Sequence, residues 1–533
     1  MWHHDALIYQ VDPSLFLDFD GDGRGDLRGL ESRLEHISAI GASTLWLLPF
    51  YRSPFRDGGY DVSDHLTIDP RFGDIADFVA MMERAESLGL RVLVELVMQH
   101  TSDQHPWFQE ARSDRASPYR DYYIWVDEPE PAEVKPIFPG VEDSIWAWDE
   151  QAGQFYRHTF YSHEPDLNLA NPRVREEMYR IMAYWLRLGV AGFRVDAVPY
   201  MIERAKAADP REDGLWLLDD MHRFAWQRRP GAIMMGEADV EVKKYREYFS
   251  DGDRLTHLLD FWTNNHFFLA LARCRAKPLV EALLRNPTPT PRARRAVWLR
   301  NHDELDLEQL SKRDRNAVLE AFAPQEDMRI YGRGIRRRLA PMLEGDVRRL
   351  AMTHVLLLSL PGTPILRYGD EIGMGDDLSL SERNSVRTAM QWSDVENGGF
   401  SAADALQVPI IRDGPFGFSK INVESQFWRK DSLLSVVRTA NHMRVAIPTF
   451  GGDWRPARLD QDSVFGLRYD DDESGSDVIT LVNLSADAVE VRLQEEGVET
   501  MTDALSDADY EPIVDGVVPI NGYGYRWLRK PYS

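Results

Sequence analysis

The sequence predicts an α/β fold: a (β/α)8 TIM barrel with a small domain inserted after the third strand and an antiparallel β domain at the C-terminus. Three observations carry that prediction. Short apolar runs alternate with longer helical patterns over most of the 533 residues, as buried parallel strands and their crossover helices do. There are eight such units, which with right-handed crossovers suit a closed barrel better than a doubly wound sheet. From about Gly451 the pattern changes to successive short strands, SVFGLRYD, DVITLVNLS, VEVRLQEE and YGYRWLRK.

In chain order the strand candidates are 6–11 (ALIYQV), 43–48 (STLWLL), 91–98 (RVLVELVM), 193–198 (FRVDAV), 232–238 (AIMMGEA), a weaker one at 255–262 (LTHLLDFW), 295–301 (RAVWLRN) and 363–370 (TPILRYGD). Helical patterns between them, such as LRGLESRLEHISAIG and DIADFVAMMERAESLG, end in glycine, a common C-cap. The third unit is interrupted. After QHTSDQHPWF a Pro- and acid-rich stretch, VDEPEPAEVKPIFPGVEDSIWAWDE, precedes the next helical pattern near Pro172, too long for an ordinary βα loop. The expected division is barrel 1–102, inserted domain 103–168, barrel 169–450 and a C-terminal β-sandwich 451–533.

Composition narrows the function. With 62 basic and 87 acidic residues the net charge is −25, which argues against nucleic acid or an anionic membrane as partner. Cys274 is the single cysteine, so no intrachain disulfide and no cysteine zinc site can form. The start, MWHHDALIYQVD, has no basic segment followed by an apolar core, and no run of about twenty apolar residues occurs. A cytoplasmic protein with a small-molecule ligand is expected; self-association into a homo-oligomer is left open.

Barrel chemistry sits at the C-terminal ends of strands. Strand four, GFRVDAV, ends on Asp196, two residues after Arg194; the two share a strand face, so the guanidinium can keep Asp196 ionised. Strand five, MMGEA, ends on Glu237 in an apolar setting that favours a proton-donor role. Strand seven runs into RNHDE, with His302 and Asp303. Two carboxyls about 5–5.5 Å apart are what a retaining glycosidic mechanism requires. The loop FLDFDGDGRGDLRG places Asp18, Asp20, Asp22 and Asp26 among glycines, and such carboxylates can converge on a hard cation such as calcium.

These motifs together resemble the α-amylase family, glycoside hydrolase family 13, over the whole chain: ELVMQH around His100, EPDLN from Glu164, GFRVDAV, GEA and RNHDE, in order. The resemblance implies Asp196 as nucleophile, Glu237 as general acid/base and Asp303 as transition-state stabiliser, with His100 and His302 donating to hydroxyls of the same glucose. RDGGYDVSDH resembles the segment that closes the site in oligosaccharide-trimming members. By that likeness Asp57 would pair with Arg387 of SVRTAMQW, Tyr60 would stack on the terminal glucose and Phe160 would line the same pocket. It also implies structural calcium on the Asp18–Asp26 loop, Arg24 contributing its carbonyl, and no organic cofactor.

MRIYGRGIRRRLAPML and ILRYGDEIGMGDDLSL closely resemble the family's trehalose synthases, which interconvert maltose and trehalose through a covalent glucosyl intermediate. A hydrolase or transglucosidase of small α-glucosides is the alternative. Four departures bear on the choice. Gln99 and Glu164 stand where the family has Asn and Gln, Asp239-Val240 where trehalose synthases have Asn-Gln, and Ala389 replaces Pro. Gln99 weakens the case for a second calcium.

Overall fold

The computed structural model describes residues 2–129, 136–208, 213–470 and 477–530. Residues 130–135 of the Pro- and acid-rich stretch therefore lie outside the described residues, as do 471–476 in the C-terminal part.

Every strand candidate forms a strand, and eight of them close one parallel barrel in chain order. These are β1 (Ile8–Val11), β2 (Thr44–Leu47), β3 (Arg91–Leu96), β4 (Gly192–Val195), β5 (Ile233–Gly236), β6 (His257–Leu259), β7 (Arg294–Trp298) and β8 (Thr363–Arg367), with β8 returning to pair with β1. Each is shorter than the apolar run that announced it. Ala197, just past β4, turns left-handed at φ 49°. After β6, Asp260 caps a helix by accepting from the Thr263 N–H at 2.9 Å, so Phe261 and Trp262 are helical and not strand as the sequence suggested.

Strand alternation sorts the side chains. Ile8, Trp46, Leu93, Ile233, Ala296 and Ile365 fill the lumen, making it a packed core, while Tyr9, Leu45, Val92 and Leu366 face the surrounding helices. Two residues further along β1, β3 and β8, on the same inward face, come Gln10, Glu95 and Arg367, joined by Arg194 of β4, all buried. The lumen is thus apolar below and polar above, and the polar layer is the floor of the site.

Helix α1 (Leu27–Ala39) starts on Asp26, and α2 (Ile75–Ser87) starts on a reciprocal cap between Asp74 and Asp77. The chain leaves these helices through Gly41 and Gly89 at φ 90° and 73°, the left-handed region that only glycine enters freely.

Between β3 and β4 stands a three-stranded antiparallel sheet of Trp125–Val126, Gln154–Arg157 and Trp146–Asp149, in that spatial order. A bridge between His100 and Asp166 ties its return path to the barrel rim. Past residue 452, a five-stranded antiparallel sheet carries Val464, Ile479, Leu481 and Leu528 on one face, packed against Val491, Val518 and Ile520 of a two-stranded ribbon. Its other face reaches the barrel: Tyr469 and Trp527 donate to Ser359 at 2.7 and 2.8 Å. No helix among the described residues is long and apolar enough to cross a membrane.

Candidate active site

Arg194 organises the strand ends. Its Nη1 lies 2.9 Å from Glu95 and 2.5 Å from Asp196, and its Nη2 lies 2.8 Å from Glu237. One guanidinium therefore holds Asp196 and Glu237 as neighbours. Glu237 also accepts from the Ala197 N–H at 3.1 Å, so the left-handed turn after Asp196 is used to position the second carboxyl.

Burial and charge set the protonation of this group. Burial raises Asp196 to about 6, with Glu95 and Asp303 adding to the rise and Arg194 opposing it. Arg194 thus moderates the shift without reversing it, which leaves Asp196 mainly ionised at neutral pH. Glu237 is pushed up to about 7 by burial, against the pull of Arg194, in the direction expected. Glu95 is raised to about 7 by burial as well. Asp303 sits well below the carboxylate range. Burial alone would raise it, but His302 Nε2 at 3.1 Å, Arg383 at 2.8 Å and Arg387 at 3.0 Å hold it ionised, while burial lowers the basicity of His302 itself.

Tyr60 and His302 pack ring on ring, with centroids 5.4 Å apart and planes at 9°. The Tyr60 hydroxyl lies 2.8 Å from His302 Nε2 and 3.0 Å from Glu95. Gln10 Nε2 is 3.1 Å from His302 Nδ1; with the amide donating there, the neutral ring carries its proton on Nε2. His100 lies across the pocket, its Nε2 3.3 Å from the Tyr60 carbonyl, and Phe160 packs edge-on against its ring at 5.5 Å. A cleft of about 570 Å³ opens above, with Glu237, Asp303, Phe160, Arg383, Tyr200 and Asp239 on its walls.

Asp57 and Arg387 do approach, but only to 3.7 Å. The closer partner is Arg383, at 2.7 Å from Asp57 and bridging from there to Asp303. Arg387 mainly serves Asp303 and the His302 carbonyl, the latter at 3.0 Å. Sequence reasoning missed Arg383 and Glu95. Each left a signal: a charged residue inside the apolar run of β3, and a second arginine one turn before Arg387.

In the acidic loop, ligand-capable oxygens of Asp18, Asp20 and Asp22 lie within 4.8 Å of one another. Three hard oxygen donors in that space fit the chemistry of a divalent oxygen-seeking cation. Asp26 is not part of the cluster: its carboxylate accepts from the N–H groups of Gly29 and Phe19 at 2.8 and 2.7 Å as the cap of α1. The alternation that suggested a fourth ligand ends in a helix start.

A parallel eight-stranded barrel with carboxyls gathered at neighbouring strand ends over an aromatic-lined pocket is the architecture of enzymes acting on glycosidic bonds. The model of the alpha amylase catalytic domain matches residues 10–323 and 335–450. The chain belongs to the α-amylase family. It is 38% identical over 548 residues to a trehalose synthase/amylase of Mycobacterium tuberculosis, covering 99% of this chain and 90% of that protein. A trehalose synthase of a Pimelobacter species is 37% identical, covering 99% and 96%. Among solved structures, an α-amylase from H. orenii superposes with a TM-score of 0.80 at 24% identity, covering 98% of this chain and 99% of that one; it shares the fold.

Proposed function

We propose that this enzyme interconverts maltose and trehalose by intramolecular transfer of a glucosyl group. The observation that carries the reading is Arg194 bridging Asp196 and Glu237 at 2.5 and 2.8 Å beneath a pocket whose far side is closed by Asp57 and Arg383. Near-full-length similarity to trehalose synthases supports the choice of substrates.

Glu237, raised to about 7, holds the proton that the glycosidic oxygen needs. As that bond breaks, the Asp196 carboxylate attacks the anomeric carbon and forms a glucosyl ester, releasing one glucose. Ionised Asp303, with neutral His302 and His100, engages hydroxyls of the distorting ring. The released glucose turns, gives its anomeric hydroxyl proton to Glu237 and attacks the ester, freeing Asp196. Closure by Asp57 and Arg383 keeps water from that step. Asp57, Tyr60, Phe160, Arg194 and Arg387 complete the pocket in this reading.

We further infer structural calcium on Asp18, Asp20 and Asp22, with the Arg24 carbonyl as an added donor. Incubation with maltose followed by product separation tests the main reading. Trehalose as the main product supports it; mainly glucose would assign hydrolysis of small α-glucosides, and longer oligosaccharides would assign intermolecular transfer.

A further inference from the structure

Glu164 is a carboxyl that the mechanism above leaves idle. It is fully buried, and its Oε1 accepts no hydrogen bond although it lies 3.7 Å from Nε2 of His100. Its other oxygen has only the Tyr161 N–H, at 3.4 Å. A solitary buried anion of this kind is costly, and such a group takes up a proton instead. The neighbours reinforce that outcome. Asp57 and Asp61 face Glu164 from the 56–61 segment and oppose its charge, while the Tyr161 N–H and Arg383 favour it more weakly. Asp57 is already bound to Arg383 at 2.7 Å. Asp61 accepts from Ser53 Oγ at 2.8 Å and from the Arg56 N–H at 3.1 Å. His163, on the same turn, is held neutral by burial and by Arg56. Burial likewise keeps His100 neutral.

His100 is as confined as Glu164. Its Nε2 reaches the Tyr60 carbonyl only at 3.3 Å, and its buried Nδ1 has no partner. Phe160 packs edge-on against the ring at 5.5 Å, and Glu164 Oε1 stands 3.7 Å from its Nε2. We propose that Glu164 is a positioning residue for His100 and acts as a neutral acid, doing the work that an amide does at this place in the family. The substitution of acid for amide is then silent while the proton stays on. Loss of the proton would set a third negative charge beside Asp57 and Asp61 and disturb both the His100 ring and the Asp57–Arg383 closure. The proposal rests on the donor-pocket reading above, because His100 is taken to meet the bound glucose.

The test compares wild type with Glu164→Gln and Glu164→Leu on p-nitrophenyl α-glucoside, in stopped assays from pH 5 to 9, with folding checked by thermal melting. Release of nitrophenol needs only formation of the glucosyl ester, so it reads the donor pocket whichever acceptor is used. Glu164→Gln is expected to match wild-type kcat/KM within about threefold at pH 6, and to keep a low KM at high pH where that of wild type rises. Glu164→Leu, lacking any hydrogen-bonding group, is expected to raise KM about tenfold at every pH with a smaller change in kcat. A Glu164→Gln variant disabled at all pH values would overturn the proposal, since the anion would then be required. So would a Glu164→Leu variant equal to wild type, whereas Glu164→Gln and wild-type profiles that coincide through pH 9 would support it, the proton then being held over the whole range. If wild type itself releases no nitrophenol, the donor-pocket reading fails. Calorimetric binding of glucose to the same three proteins then decides the Glu164 question by the same pattern in Kd.

Discussion

Arg383 donates to Asp57 at 2.7 Å across 326 positions of sequence. Both side chains are 11% exposed, so the pair is shielded from solvent, and in the proposed reading it seals one side of the pocket. Arg383 also reaches Asp303, so this seal and the ionised carboxylate share one cation. Arg383→Ala should raise KM for maltose about tenfold or more, because truncating the closer partner leaves Asp57 with only Arg387 at 3.7 Å. It should also raise the proportion of free glucose among the products. Product ratios measured by chromatography check this; an unchanged ratio would mean that the seal lies elsewhere.

The two central carboxyls should differ in kind when replaced. Asp196→Ala removes the group that forms the ester and should lower turnover by at least about a thousandfold. Glu237→Gln should cripple maltose to a similar degree, yet spare a substrate whose leaving group needs no proton, such as α-glucosyl fluoride. Equal damage to both substrates in Glu237→Gln would argue against its role as proton donor.

Activity should follow a narrow bell with pH. The acidic limb reports Asp196, at about 6, and the alkaline limb reports Glu237, at about 7. Stability carries the same signature with a definite sign. Both groups bind their protons more tightly when folded than the ordinary carboxylate values near 4 allow, so their contribution is fully present below pH 4 and is lost as pH rises towards 7. Glu237→Gln cannot ionise and should therefore melt about 1–3 °C above wild type at pH 8 while matching it near pH 5. Calorimetric melting at the two pH values decides; a variant less stable at pH 8 would mean that the Arg194 pairing outweighs burial.

The barrel was legible because its strands are apolar runs cut by polar residues, and the cuts fall at the rim where the candidate site lies: Asp196 and Glu237 directly follow strand ends, and His302 lies four residues past one. What stayed hidden was pairing at a distance. Glu95 meets Arg194 99 positions away; its place inside an apolar run signals burial but does not name the partner. Arg383 was missed for the same reason, and Arg387 received its role because a motif pointed there. Asp26 shows the converse ambiguity: in a loop rich in alternating aspartates, ligand and helix cap have the same sequence appearance, and the structure adds that Asp26 accepts from the N–H groups of Phe19 and Gly29.

That distinction is itself testable. If calcium sits on Asp18, Asp20 and Asp22, chelation should lower the melting temperature of wild type, and readdition of calcium should restore it. Asp20→Asn should melt near the chelated value and respond to neither treatment, since a charged donor is lost from the cluster. Asp26→Asn keeps a good cap and contributes no ligand, so it should respond to chelation as wild type does. Asp18 is less informative, because it also accepts from Ser401 Oγ at 2.5 Å and its loss would loosen the loop whether or not an ion is bound. A response abolished in Asp26→Asn would return Asp26 to the ligand set; a wild type indifferent to verified metal removal would leave the loop as a turn closed by its own N–H groups.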